Sequence, residues 1–239
     1  MDRTKKLIIG IIIIVLIGLI AIIAGALFIG SETHLSEGDK NILVCAIDES
    51  ERRPGLGACD MAFIVHLDNG TLKNYTAIYP GGLTHPTAAE PAEAQSQGAG
   101  AKLLLHDAFW SSDNGEAMKF AKEIVEYNTN IHVDSVVAVN TEALDGVLAA
   151  AGPLEVNGSK IQVSGIDFIR EEDWSNGVSR GDAVLELVKA AANAAKDPEI
   201  KSAMVNAAID QYTKGNIVMD QQGAFVGLLA SKGIETLFR

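Results

Sequence analysis

The stretch His106 to Val156, HDAFWSSDNGEAMKFAKEIVEYNTNIHVDSVVAVNTEALDGVLAAAGPLEV, holds the order of elements that decides the fold. Asp113 and Glu116 stand at capping-box spacing, and Ala117, Phe120, Ala121, Ile124 and Val125 recur behind them at helical period. A helix with one apolar face is expected to about Tyr127. After the polar break at Asn128 to Asn130 come Val133 and then Val136, Val137, Ala138 and Val139. This β-branched run is too short for a helix and apolar on both faces, so it reads as a central strand covered on both sides. Thr141 can cap a second helix through Leu144, Val147 and Leu148, which Gly152 and Pro153 stop. The order helix, buried strand, helix is that of a sheet with helices packed on it.

Working outward toward the amino terminus, Lys102 to Leu105 is a short apolar strand or turn. Leu83 to Ala101, rich in Ala, Gln, Gly and Pro without a period, reads as a long mobile loop. Asn41 to Ile47 is a buried strand ending at Asp48, and Glu49 to Cys59 a loop punctuated by Pro54, Gly55 and Gly57. Met61 to Leu67 and Leu72 to Tyr79 are strands joined by the Asp68-Asn69-Gly70 turn, and Pro80-Gly81-Gly82 ends the second.

Beyond the stretch, Asn157-Gly158 makes another hairpin turn into Lys160 to Val163. A helix is expected over Gly181 to Lys196, and Asp197-Pro198 opens a further one to about Tyr212, ended by Lys214-Gly215. Asn216 to Met219 is a strand, and Phe225, Leu228 and Leu229 lie on one face of a last helix.

Leu7 to Ile29 contains 23 residues without a charge. As a helix it would extend about 34 Å, enough to cross a hydrocarbon core of roughly 30 Å. A cleaved signal peptide is the rival reading, but the run continues past Ala24, Gly25 and Ala26, longer than the usual apolar region of such a peptide. Arg3, Lys5 and Lys6 precede the span and Glu32 and Glu37 follow it, which keeps the amino terminus in the cytoplasm and exports the rest. The expected organisation is a tail over 1–6, an anchor over 7–29, a tether over 30–40 and an extracytoplasmic domain over 41–239. Of the 19 basic and 31 acidic residues, setting aside Asp2, Arg3, Lys5 and Lys6 leaves 16 against 30, or −14. Such a surface does not suit nucleic acid.

Cys45 and Cys59 would lie in an oxidising compartment, where they are either a disulfide or two buried thiols; the spacing leaves both open. Asn69, Asn74 and Asn157 begin glycosylation sequons. His34, His66, His85, His106 and His132 show no ligand spacing, so no zinc site is expected. Gly177-Val-Ser179-Arg-Gly181 has the letters of a nucleophile elbow without the strand that must precede one.

Asn41-Ile-Leu-Val, Asp48, Cys59-Asp60-Met61-Ala-Phe-Ile-Val, the Asp68-Asn69-Gly70 turn, Val133-Asp134-Ser-Val-Val-Ala-Val, Ala143-Leu144 and Gly152-Pro153-Leu154-Glu155-Val156 follow in an order that resembles the LytR-CpsA-Psr family of envelope glycopolymer transferases. The chain resembles still more closely the domain-of-unknown-function family number four-zero-one-two, a distant cousin of that group. Asp107-Ala108-Phe109-Trp110-Ser111-Ser112-Asp113 is similar to its Asp-Ala-Asn-Trp-Ser-Pro-Asp signature, and Asn216-Ile217 through Gln222, Leu228-Leu229 and Gly233 to its close. The fold that the resemblance implies is α/β, a LytR-CpsA-Psr-like mixed central sheet with helices packed on it, preceded by one transmembrane helix.

The same resemblance implies a membrane-anchored outer domain that takes a glycan from polyprenyl pyrophosphate or binds wall glycan. It implies a Mg²⁺ ion on Asp48 and Asp60, and Arg52, Arg53, Arg170 and Arg180 as phosphate clamps. Carboxylate oxygens suit Mg²⁺ and arginine forks suit phosphate. The sequence departs from the family where Cys59 replaces an arginine before Asp60 and where Pro80-Gly81-Gly82 replaces a Pro-Arg-Asp triplet. Two functions therefore stand side by side, a Mg²⁺-dependent phosphotransferase on lipid-linked glycan and a non-catalytic surface scaffold or interaction module. The residues have structural readings too: Asp48 and Asp60 as turn-forming aspartates, Arg52 and Arg53 as solvated loop charges, and Trp110 as packing under the helix that follows.

Overall fold

A computed structural model describes residues 35, 37–69, 71–156, 159–161, 190–191 and 193–220. The expected span over 7–29, the helix expected over Gly181 to Lys196 up to residue 189, Gly177 to Gly181 and the last helix lie outside the described residues. So do Arg170 and Arg180. Among the described residues no helix is long and apolar enough to cross a membrane.

The central sheet is mixed, as expected. Strands β1 (Asp39–Asp48), β2 (Ala58–Asp68) and β3 (Thr71–Ile78) form an antiparallel meander, and Asn69 takes the left-handed turn conformation between β2 and β3, φ 49°. Two small strands, β4 (Thr84–Ala89) and β5 (Lys102–Leu104), flank the short helix α1 (Ala92–Ser96) and pair with each other. Helix α2 (Asn114–Thr129) leads into β6 (Ser135–Asn140), which lies parallel to β1. Helix α3 (Thr141–Ala150) follows, then the hairpin β7 (Leu154–Val156) and β8 (Ser159–Ile161). Helix α4 (Pro198–Thr213) and β9 (Ile217–Met219) complete the described part, with β9 antiparallel to β6 and the sheet ordered β3-β2-β1-β6-β9.

Local chemistry explains the boundaries. Asp113 caps α2, its Oδ1 accepting the N–H groups of Gly115 and Glu116, and Asn130 ends the helix in the left-handed conformation. The capping box is incomplete, because Glu116 accepts from the Ser111 hydroxyl rather than from the Asp113 N–H. α3 is capped one residue earlier than expected: Asn140, not Thr141, accepts from Ala143 N. Asp197 caps α4 through Glu199 N and Ile200 N, ahead of Pro198.

Leu83 to Ala101 corrects the sequence reading. It is not a structureless loop but the ordered excursion β4-α1, fixed by side chains that bond to nearby backbone. His85 Nδ1 accepts from Thr87 N and Ala88 N, and its Nε2 lies 2.8 Å from Glu123 on α2. Asn128 on α2 donates to Thr84 O. Such anchors have no sequence period.

Side-chain alternation places Leu43, Cys45, Ile47, Ala62, Ile64, Val136 and Ala138 on one sheet face. There they pack against Ala117, Met118, Ala121, Ile124 and Val125 of α2 and against Leu103, Leu105 and Phe109. Ile42, Val44, Val137 and Val139 point the other way and are also buried, beneath α3, which packs on α4. β6 is therefore covered on both faces, as its sequence requires.

Candidate functional site

β1 and β6 are parallel, and their carboxyl ends lie side by side, Ile47 opposite Asn140. In open α/β sheets ligand sites lie beyond such ends. The loop after β1 crosses this edge. Glu49 on it accepts the N–H groups of Thr141 and Glu142 with its two carboxylate oxygens, which ties the loop to the start of α3.

On the other side of the loop Gly55 lies so close to the backbone carbonyls of Phe109 and Ser111 that a Cβ would overlap both. Gly57, at φ 132°, likewise has no room for a side chain beside the Asp48 carbonyl. Gly55→Ala should therefore push the loop off the 109–111 backbone and cost about 1–3 kcal/mol, read from urea unfolding. An unchanged midpoint would show that the two segments are not in contact.

A β-bulge aims the central carboxylate. Ala46 pairs with Met61 and Ile47 with Cys59, so Asp60 is an extra residue with no partner on β1. Cys59 and Asp60 consequently share the side of the sheet covered by the 3₁₀ turn Leu105–Asp107. His106 on that turn has its Nε2 3.6 Å from Asp60 Oδ1 and 3.8 Å from Glu51 Oε2. Ligand atoms of Glu51, Asp60 and His106 all lie within 4.8 Å of one another. Two carboxylates and one imidazole, all partly accessible, form a donor set for a divalent cation, and it is the one such group among the described residues.

Beneath this group lies a buried ion pair. Arg53 Nη2 is 2.6 Å from Asp107 Oδ1, with side-chain exposures of only 7% and 6%. The guanidinium also reaches Glu51 Oε2 at 3.2 Å and His106 O at 3.4 Å, and its Cζ sits 5.2 Å from the centre of the Trp110 ring. His106 Nδ1 is 3.4 Å from Asp107 Oδ1. The carboxylates of Asp107 and Asp60 beside it push the His106 imidazole up to about 10, against its burial. For Asp107 burial is the largest influence and raises it, but the neighbouring His106 and Arg53 prevail and hold the carboxyl below its usual range.

The expected residues thus divide. Asp60 stands in the cation group. Asp48 is buried at the end of β1, its Oδ1 accepting Ser50 N at 2.8 Å, and it is not among the three. Arg53 is neither a solvated charge nor an open clamp, because Asp107 and Glu51 already occupy it, while Arg52 is exposed on the same loop. Trp110 carries Arg53 on its ring.

Cys45 and Cys59 are free, fully buried thiols, so the disulfide alternative is not realised. Burial, with the neighbouring Cys45 thiol adding to it, pushes the Cys59 thiol well up. Glu51 and His106 went unread as ligands because they come from separate loops with no spacing between them. The signal within reach was the Asp107-Ala-Phe-Trp motif beside His106.

Comparison with known proteins follows the same lines. No curated protein matches the chain in sequence. Among solved structures, a Streptococcus agalactiae protein covers 87% of this chain and 78% of its own at 16% identity, with a TM-score of 0.55. An Enterococcus faecalis protein described as a transcriptional regulator covers 86% and 76% at 15% identity, TM-score 0.54. B. subtilis TagV covers 84% and 81% at 16% identity, TM-score 0.49. At such identities the first two likenesses are of fold. A family model described as "Protein of unknown function (DUF4012)" matches residues 37–172, more than half of the sequence. The chain therefore belongs to the DUF4012 family, and its mixed sheet with packed helices is the architecture that its resemblance to LytR-CpsA-Psr proteins led us to expect.

Proposed function

We propose that the chain is a membrane-anchored envelope protein whose outer domain binds a phosphate-bearing glycan, carried on polyprenyl pyrophosphate or built into the wall, with the help of a divalent cation. One observation carries this reading: the bulge in β2 turns Asp60 out of the ladder to meet Glu51 and His106 at the edge where β1 and β6 end. The ligand class is supported by the sequence resemblance to envelope glycopolymer transferases. The anchor is residues 7–29, with the amino terminus inside.

The donor set fits a divalent cation. Its carboxylates suit Mg²⁺ or Mn²⁺, and its imidazole favours Mn²⁺ over Mg²⁺. When bound, such an ion would neutralise charge on phosphate oxygens. His106 must release its proton to become a ligand, so binding strengthens as pH rises. Asp48 is proposed as a further carboxylate at the same edge, and exposed Arg52, with Arg170 and Arg180, as groups that meet phosphate.

Binding is favoured over phosphoryl transfer by the state of Arg53. Transfer needs cationic groups free to follow developing charge, and this guanidinium is buried against Asp107 and Glu51.

The test is calorimetric titration of a polyprenyl pyrophosphate into the full chain in detergent, with Mn²⁺ and then with EDTA. Binding in Mn²⁺ that weakens at least about tenfold in EDTA is expected, a loss of roughly 1.4 kcal/mol. Equal binding in both would remove the cation from the reading, and no binding in either would remove the ligand.

A further inference from the structure

The loop after β1 supplies one donor of the cation group, Glu51, and its two ends are held in different ways. At the far end Gly55 and Gly57 press against backbone with no room for a side chain. At the near end the hold is one side chain. Glu49, half-buried, accepts Thr141 N at 2.9 Å with Oε2 and Glu142 N at 3.1 Å with Oε1, from residues 92 and 93 positions away in sequence.

The first N–H groups of a helix have no carbonyl within it to take them, so a cap must come from elsewhere. Asn140 already serves α3 in this way, its Oδ1 accepting Ala143 N at 2.9 Å. Glu49 is a second cap, borrowed from a distant part of the chain, and its negative charge meets the positive end of the helix. The support is itself fixed: Asn140 Nδ2 donates to Asn216 Oδ1 at 3.0 Å, and α3 packs on α4. Only Ser50 separates Glu49 from Glu51, and the Ser50 N–H donates to Asp48 Oδ1 at 2.8 Å. The backbone therefore reaches Glu51 from two residues that are both held.

We infer, on the reading that Glu51, Asp60 and His106 hold a cation, that Glu49 is a positioning residue of that group, a pin that fixes the loop on α3 and so decides where Glu51 stands. Glu49 is not one of the three donors and acts on them through Glu51. Two carboxylate oxygens match two successive N–H groups. A glutamine offers one oxygen and would set its own donors against the other N–H, and an aspartate is a methylene shorter. The first turn of α3 and a cation on Glu51 are thus linked through the loop. Such linkage runs both ways: the pin strengthens cation binding, and the cation steadies the pin.

Two measurements on the full chain in detergent test this, with Asp197→Ala as control because it removes the cap of α4 and leaves the loop alone. In calorimetric titration of Mn²⁺, Glu49→Ala and Glu49→Gln should bind about tenfold more weakly than wild type, and Asp197→Ala as tightly as wild type. In hydrogen exchange without metal, the amides of residues 49–57 should exchange faster in Glu49→Ala than in wild type. Adding Mn²⁺ should slow exchange at Thr141 and Glu142 in wild type but not in Glu49→Ala. A residue that merely capped α3 would change stability and move neither the affinity nor the loop. Wild type and Glu49→Ala binding Mn²⁺ equally tightly, or an equal loss in Asp197→Ala, would overturn the inference and leave the cation reading standing. A wild type that binds no Mn²⁺ would overturn the cation reading, and the role of Glu49 with it.

Discussion

Arg53→Leu is expected to destabilise the fold by about 3–5 kcal/mol, because it leaves the Asp107 carboxylate buried without its counter-charge. Both side chains are almost wholly inside, at 7% and 6% exposure, and the nitrogen and oxygen are 2.6 Å apart. The guanidinium also fills the space over the Trp110 ring and bridges to Glu51, contacts that leucine cannot replace. Arg53→Lys should recover only part of the loss, since a point charge cannot reach Asp107 and Glu51 and also stack on the indole. The double variant Arg53→Leu, Asp107→Asn should be more stable than Arg53→Leu alone, because the orphaned charge is gone. Urea unfolding of the four proteins measures these differences. A cost below about 1 kcal/mol for Arg53→Leu would mean that the pair is solvated and contributes as a surface bridge does.

Phe109→Ala should cost a similar amount, about 3–5 kcal/mol, through the cavity it leaves. Phe109 is among the largest fully buried side chains and packs in the cluster between the sheet and α2. Its effect should reach the site as well. The residue sits between His106 on one side and Trp110 and the α2 cap at Asp113 on the other, and its carbonyl lies against Gly55. Loss of the ring frees the segment that presents His106 to Asp60. We expect lower stability together with weaker cation binding; a loss of stability with unchanged binding would mean that the His106 turn is held by Arg53 alone.

These effects show which parts of the molecule are written in sequence. The strand from Val136 to Val139 and the face of α2 have periods that burial alone enforces, so both could be read directly. Asp113 and Asp197-Pro198 marked helix starts for the same local reason. The β4-α1 excursion was illegible because His85, Glu90 and Asn128 hold it through single bonds to backbone, and such bonds leave no pattern. The cap of α3 shifted by one residue, since Asn140 and Thr141 are both competent caps and only the β6 register decides between them.

The site was half legible. Asp60 was identified through resemblance, but the bulge that aims it depends on a register between strands that no local sequence specifies. Glu51 and His106 reach Asp60 only because Gly55 lets one loop press against the backbone of the other. Arg53 had the right chemistry for a clamp, and Asp107, far away in sequence, takes it out of that role.

A cation at Glu51, Asp60 and His106 is tested most directly by calorimetric titration of Mn²⁺ into the full chain in detergent. Wild type should be compared with Asp60→Asn, His106→Asn and Asp48→Asn, each first shown to unfold cooperatively. Saturable binding by wild type, weakened about tenfold or more in Asp60→Asn and in His106→Asn, is predicted, with a smaller loss in Asp48→Asn. Binding that survives Asp60→Asn and His106→Asn but vanishes in Asp48→Asn would place the ion elsewhere at the strand edge. No saturable binding by wild type would rule out the proposed cation site and leave Asp60 and His106 as an ion pair.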